Sequence, residues 1–230
     1  MEWYWILLIV LGSLLVWTLL SIVLYKPFFK RFYDIFLSSL AIIVFLPIII
    51  VMIIVGAIVL RDNPFFVQKR PGKHEKLFSL IKFRSMSSKK DENGNLLPDE
   101  MRLTKYGKFI RKTSLDELPE LFNILIGNMS IVGPRPLLVK YLPFYTCEER
   151  KRHDVRPGLT GYAQTHGRNN VIWEERFKED VFYVNNVSLF MDLSIIFGTI
   201  SVVLSHKNVG INVIKDFDEY RKEQNEFNKI

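Results

Sequence analysis

The chain has 230 residues, a single cysteine, Cys147, and 31 Lys and Arg against 24 Asp and Glu, a net charge of +7. One cysteine excludes an internal disulfide and a cysteine-based zinc cluster. There is no aromatic-studded basic strand or zinc-finger spacing, so nucleic acid is set aside as a partner, and the charge balance suits an anionic leaflet and a small anionic substrate.

The length allows one ordinary domain plus a further part, and that part is membrane. Trp3 to Tyr25 and Ile35 to Leu60 contain no charged residue, and each reaches the roughly 20 residues that cross a bilayer core. Glu2 at the start, the length of the run and the lack of a small-residue cleavage site argue against a signal peptide, so the first run is read as a permanent anchor. The collar Lys26-Pro-Phe-Phe-Lys-Arg31 then holds its C-terminal end in the cytoplasm by the positive-inside rule.

The second run has basic residues on both sides, with Arg61, Lys69, Arg70 and Lys73 following it. A second crossing would place them and the whole soluble part outside, against the same rule. Pro47 sits almost at the midpoint, with 12 residues from Ile35 to Leu46 and 13 from Ile48 to Leu60. Proline removes a helix hydrogen bond and bends the axis, which favours a re-entrant hairpin bent at Pro47. The alternative is an ordinary kinked transmembrane helix.

From Arg61 the composition is mixed. Pro64 to Gly72 and Lys76 to Met86 read as two strands of a hairpin closed by Pro71-Gly72, carrying Lys69, Arg70, Lys82 and Arg84. Ser87 to Asp99 is a polar loop turning at Asn93-Gly94, and Thr104 to Lys112 a short basic helix.

Next comes Ser114-Leu-Asp-Glu-Leu-Pro-Glu-Leu-Phe-Asn-Ile-Leu125. Leu115, Leu118, Leu121, Phe122 and Leu125 recur at helical spacing, which turns Asp116, Glu117 and Glu120 toward an open face. Ser114 with Glu117 has capping-box spacing, while Pro119 favours a later start with Asp116 near the cap; both remain open. Either start places the acids where a helix dipole favours negative charge. Gly133-Pro-Arg-Pro136 then clamps Arg135 between two prolines. Adjacent acids and a rigid cation point to phosphate chemistry.

Lys140 to Val155 is mostly a solvated helix face, in which Asp154 is placed to orient Arg156. Arg156 to Arg168 contains Gly158, Gly161 and Gly167, which permit close backbone approach to a phosphate or ribose, with an arginine at each end. Val187 to Leu204 is apolar around Asp192, which makes a third span unfavourable and predicts an amphipathic helix on the bilayer or in the core. Lys215 to Ile230 reads as a solvated tail helix. The four histidines lack ligand spacing, and none is assigned to a metal.

Taken together, Lys30-Arg-Phe-Tyr-Asp34, Gln68-Lys-Arg-Pro-Gly72, Lys82-Phe-Arg-Ser-Met86, Ser114 to Glu120, Gly133 to Pro136 and Val155-Arg-Pro-Gly-Leu-Thr-Gly161 resemble the small monotopic phosphoglycosyl transferases of the bacterial sugar transferase family. The likeness covers about Lys30 to Gly210, with the motifs in family order. It implies transfer of a sugar 1-phosphate from a UDP-sugar to polyprenol (undecaprenyl) phosphate, releasing UMP and starting glycoconjugate, capsule or exopolysaccharide synthesis. It further implies a magnesium requirement, Asp116 as covalent nucleophile and metal ligand, and Glu117 as the second member of the dyad. Lys82, Arg111 and Arg135 match positions around the active site, and Asp154 and Arg156 match further functional positions; Arg168 is assigned to substrate from its glycine-rich setting. The first 25 residues, which minimal family members lack, and Leu46 before Pro47, where a serine is frequent, depart from the pattern.

The expected fold is α+β: a helix-rich monotopic membrane enzyme with a re-entrant, proline-broken helix, a small β-hairpin or sheet and amphipathic interfacial helices. The expected divisions are an anchor over 1–26, the re-entrant helix-break-helix over 27–62, a catalytic domain over 63–212 and a polar tail over 213–230. The expected site is the bacterial inner membrane, catalytic domain on the cytoplasmic face, with downstream glycosyltransferases as further partners. The alternative is a non-catalytic membrane scaffold binding polyprenol phosphate or a partner transferase, in which Asp116 and Glu117 merely pair with Arg111 and Lys112.

Overall fold

The computed structural model describes residues 2–166, 172–204 and 215–227. Helix α1 (Glu2–Val23) is apolar around its circumference, and little of it is covered by protein. Such a helix needs a core or a membrane. A π-helical turn at Tyr25–Phe29 follows. Trp17 then meets Phe29 and Phe32 edge-on at 5.0 and 5.7 Å, and the Ser21 and Tyr33 hydroxyls lie 3.1 Å apart. Residues twelve apart on one continuous helix would be about 18 Å from each other, so the chain doubles back.

Helix α2 (Lys30–Leu60) runs uninterrupted for 31 residues with Pro47 inside it. Both α1 and the segment Tyr25–Leu60 are long and apolar enough to cross a membrane. One face of α2 packs on the rest of the molecule along its whole length. Near its start, Arg31 donates to Ile124 O and Leu125 O at 2.7 and 2.9 Å, and Asp34 accepts from Ile131 N and Ser130 Oγ at 2.9 and 3.0 Å. Ala41 and Ile42 follow against Phe78, Leu80 and Leu121, then Ile49 and Met52 against Phe83 and Ile110. Near its end, Met52 O accepts from the Tyr106 hydroxyl at 3.2 Å. The opposite face, including Phe36, Ile43, Val44, Ile50, Ile54 and Ile58, is bare.

Strands β1 (Phe65–Pro71) and β2 (Leu77–Phe83) form the antiparallel hairpin expected, with Phe66 opposite Lys82 and Arg70 opposite Phe78. The loop beyond turns at Gly94, whose φ of +82° suits glycine. Helix α3 (Asp99–Arg102) leads to α4 (Lys105–Lys112), capped by Thr104, whose side chain accepts from Gly107 N. Gly107 lies so close to β2's exit that a Cβ there would stand 1.8 Å from Ser85 O.

After a 3-10 turn at Leu115–Glu117, helix α5 (Glu120–Leu125) begins behind Pro119. A second, parallel pair joins β3 (Ser130–Val132) to β4 (Gly158–Thr160). Between these strands lie 3-10 turns and α6 (Cys147–Arg150). Arg152 and His153 are buried here, not on the solvated face read from the sequence, because their turn, Lys151–Asp154, and α6 before it pack over α8 (Trp173–Asn185).

Helix α7 (Tyr162–His166) precedes α8, and α9 (Leu189–Leu204) follows it. Helix α9 is amphipathic in an unusual sense. Phe190, Leu193, Phe197 and Ile200 form an exposed apolar stripe, while the inner face buries Ile195 and the carboxylate of Asp192. Asp192 accepts from Tyr25 OH at 2.6 Å, Lys30 Nζ at 2.5 Å and Tyr183 OH at 2.8 Å. A buried charge must be paired and hydrogen-bonded, and this one is paired with the start of α2. Helix α10 (Phe217–Phe227), in the segment read as a solvated tail, inserts Phe217 fully among Tyr141, Tyr145, Trp173 and Phe177.

Candidate active site

The inner face of the hairpin carries Phe78, Leu80 and Lys82 in strict alternation, so a cation follows two core residues into the interior. What it meets is set by α5, whose buried Asn123 lies along β2. Its amide accepts from Ile81 N at 3.0 Å and donates to Ser79 O at 2.8 Å, as a neighbouring strand would. This docking brings Glu120 and the preceding turn over Lys82.

Neither Ser114 nor Asp116 caps α5. Ser114 is left-handed at φ +55°, Leu115–Glu117 makes its own 3-10 turn, and the helix starts three residues later because Pro119 fits its threshold. Leu115 and Leu118 pack inward from this turn, leaving Asp116 and Glu117 facing the hairpin. Glu120 is not on an open face; it is 3% exposed, one turn further in.

The three carboxylates differ in their company. Glu117 Oε1 accepts from Lys82 Nζ and from Arg135 Nη2, both at 2.7 Å. Burial opposes its ionisation, but Arg135 and Lys82 outweigh that and hold its carboxyl at about 2. Glu120 shares the same ammonium at 3.0 Å. Burial dominates there, and with the Glu117 charge alongside it pushes the carboxyl up to about 7 despite Lys82.

Asp116 alone of the three has, among the described residues, no ion pair and no hydrogen bond from another residue's side chain; its carboxyl is met by its own backbone N–H. Burial, then the neighbouring Glu117 charge, raises its carboxyl above the usual range, against the pull of Lys82 and Arg111. Arg111 is held on this side by Nε donating to Ser85 Oγ at 2.9 Å. Glu117 in turn keeps the Arg135 guanidinium firmly charged.

The structure therefore brings together Asp116, Glu117, Lys82, Arg111 and Arg135. It puts Arg156 at the far end of α5, where Nε donates to Gly127 O at 2.8 Å beside Arg31. Asp154 is exposed in a recess with His74, Glu75, Cys147 and Lys151, and among the described residues no ion pair joins it to Arg156. Arg168 lies outside the described residues.

Sequence reading missed Asn123, Arg152 and Asp180, and it named Arg70 only as one of the hairpin's four cations. A buried pair joins Arg152 to Asp180 at 2.7 Å, and Arg152 Nη2 donates to Arg135 O at 2.8 Å. The signal for Asn123 was a lone amide on the apolar run. Arg152 carried none, since it stands in a stretch crowded with charge.

A carboxylate without an ion pair beside Lys82, Arg111 and Arg135, on a body packed against a long apolar helix, is an arrangement suited to phosphoryl transfer. Residues 25–206 match the model of the bacterial sugar transferase family, and the chain belongs to that family. It is 48% identical over 185 residues to the uncharacterized sugar transferase EpsL of Bacillus subtilis, covering 78% of this chain and 89% of that one. It is 39% identical over 196 residues to the undecaprenyl-phosphate galactose phosphotransferase of Salmonella typhimurium, covering 77% of this chain and 40% of that one. The UDP-glucose:undecaprenyl-phosphate glucose-1-phosphate transferase of Klebsiella pneumoniae is 38% identical over 182 residues, covering 75% of this chain and 39% of that one. Against the last two, the chain spans about two fifths of the relative's length.

Proposed function

We propose that the protein transfers a sugar 1-phosphate from a UDP-sugar to polyprenol phosphate, undecaprenyl phosphate in particular, through a covalent intermediate on Asp116. The observation that carries this reading is the division among the three acids. Glu117 is committed to Lys82 and Arg135 and Glu120 to Lys82, which leaves Asp116 as the available nucleophile. Its raised affinity for a proton makes it a stronger nucleophile once ionised.

An oxygen of Asp116 attacks the β-phosphorus, and the bond to the bridging oxygen breaks, so UMP leaves with that oxygen. A phosphate oxygen of the polyprenol phosphate then attacks the same phosphorus, freeing the Asp116 carboxylate and giving a polyprenol diphosphate sugar. Arg135, Lys82 and Arg111 neutralise charge on the transferring group, and Glu117 orients the first two. Two steps let a water-soluble donor and a lipid acceptor use one small site in turn.

Among the described residues no cluster of three or more His, Cys, Asp and Glu forms a standing metal cage. Magnesium, however, is usually held by one or two carboxylates with substrate phosphates, and the Asp116 carboxylate, which has no ion pair among the described residues, fits that role. Bound there, it would supply charge neutralisation at the diphosphate.

The packing of α2 supports a re-entrant course. Residues from Arg31 to Met52 touch the same small body, so a full crossing would submerge that body and its charges in the bilayer. With the collar at Lys26 to Arg31, this favours the cytoplasmic face of the inner membrane. Relatives are named for galactose, glucose and N-acetylgalactosamine transfer, which leaves the sugar to experiment.

The test is UMP release from purified protein and a panel of UDP-sugars without acceptor. A stoichiometric burst that Asp116→Asn abolishes is expected. Normal turnover in that variant would sink the nucleophile assignment, UDP as product would mean direct glycosyl transfer, and silence across the panel would favour the scaffold.

A further inference from the structure

The Gly133–Pro136 loop carries one cation of the site, and its backbone has little to fasten itself with. Pro134 and Pro136 have no N–H, so the fastening falls on the carbonyls. Three consecutive carbonyls are engaged, each by a different segment. Pro134 O accepts from Gly158 N at 3.0 Å, Arg135 O from Arg152 Nη2 at 2.8 Å, and Pro136 O from Arg70 Nη1 at 3.2 Å.

Both arginines are themselves held. Arg152 is almost wholly buried, with Nη2 and Nε on Asp180 Oδ2 at 2.7 and 3.1 Å and its guanidinium over the rings of Tyr145 and Phe177 at 5.7 and 5.6 Å. Arg70 Nη2 donates to Gln68 Oε1 at 2.6 Å. A buried ion pair is a poor source of stability compared with apolar residues of the same volume. What this pair supplies is a fixed donor aimed at one backbone oxygen.

We propose that Arg152, oriented by Asp180, and Arg70 are positioning residues that fix the backbone from which Arg135 reaches the transferring phosphoryl group. The inference rests on the reaction proposed above. The Arg135 side chain is long and 35% exposed, so its aim depends on Glu117 at one end and on a rigid backbone at the other. Arg152 fixes the middle carbonyl and Arg70 the next, while the Gly158 amide fixes the one before. Gly133 completes the fastening by donating to Thr160 O at 2.9 Å.

The test is a double-mutant cycle between Arg152→Lys and Arg135→Gln in the full-length protein in lipid, read by single-turnover UMP release and by hydrogen exchange of the Gly133 and Gly158 amides. Lysine keeps the charge opposite Asp180 but lacks the fork that reaches two partners. Arg152→Lys alone is expected to lower kcat roughly tenfold to a hundredfold, with the donor KM changed by less than about threefold. The two amides should exchange faster. In the Arg135→Gln background the same substitution should cost nothing further, because the group it positions is gone.

A loss that multiplies in full in the double variant overturns the proposal, as does an unchanged kcat with unchanged exchange. If Arg152→Lys does not fold, Arg70→Gln goes through the same cycle with the same expectations. Wild-type protein that releases no UMP from any UDP-sugar defeats the reaction, and the exchange measurement then decides the positioning by itself.

Discussion

Glu120 lies 3.0 Å from the Lys82 ammonium that Glu117 already holds at 2.7 Å. The shared cation serves the two carboxylates unequally, and pH separates them. Glu120 is raised to about 7 from an ordinary 4.5. Between those values the folded chain binds the proton that the unfolded chain has lost, so stability falls as pH rises through this window and is level outside it. Glu120→Gln should flatten that fall, measured as the difference in Tm between about pH 5 and pH 8 in detergent. An undiminished fall would show that another group carries it. The Glu117 contribution has the opposite sign and is lost only on acidification below about 4.5 toward about 2.

Glu117→Gln removes the anion that holds Lys82 and Arg135 in place. We expect kcat to fall by about two orders of magnitude or more. Asp116→Asn, at a carboxylate with no ion pair among the described residues, should leave Tm nearly unchanged while abolishing the UMP burst. A large drop in Tm for Asp116→Asn would make it a structural residue.

Asn123→Ala leaves Ile81 N and Ser79 O on the edge of β2 without partners. Denaturant unfolding should show a loss of about 2–4 kcal/mol, since each orphaned buried group costs on the order of 1–3 kcal/mol. A loss below about 0.5 kcal/mol would mean that water replaces the amide.

The course of α2 can be read by labelling. In a Cys147→Ser background, single cysteines replacing Lys26 and Asn93 should react with a membrane-impermeant maleimide from the same side of sealed vesicles. Reaction from opposite sides would establish that α2 crosses.

Much of this was legible where a single local pattern was decisive. The hairpin, α4 and the amphipathic α9 follow from alternation and helical spacing, while the ion pairs of Glu117 with Lys82 and Arg135 were not among the pairings read from the sequence. The start of α5 was not, because Ser114 and Glu117 satisfy a capping-box pattern while the backbone at Ser114 is left-handed. Glu120 was misplaced for the same reason: shifting the helix start rotates every later residue. Arg152 and Asp180 were invisible because burial of an ion pair is decided by turns packing over α8, not by neighbours in sequence. Phe217 was lost inside a polar tail, where one aromatic residue does not alter the composition.

The network at Asp192 has a practical consequence. Tyr25 and Lys30 close it from the membrane side, and Lys30 also donates to Val132 O at 3.0 Å, next to the loop that carries Arg135. A fragment cut free just after the basic collar would leave the buried Asp192 carboxylate with one of its three donors, Tyr183 OH. The collar thus belongs to the fold of the body behind it, so trimming has to stop short of Tyr25 and still leaves the bare face of α2 to be covered by detergent or lipid.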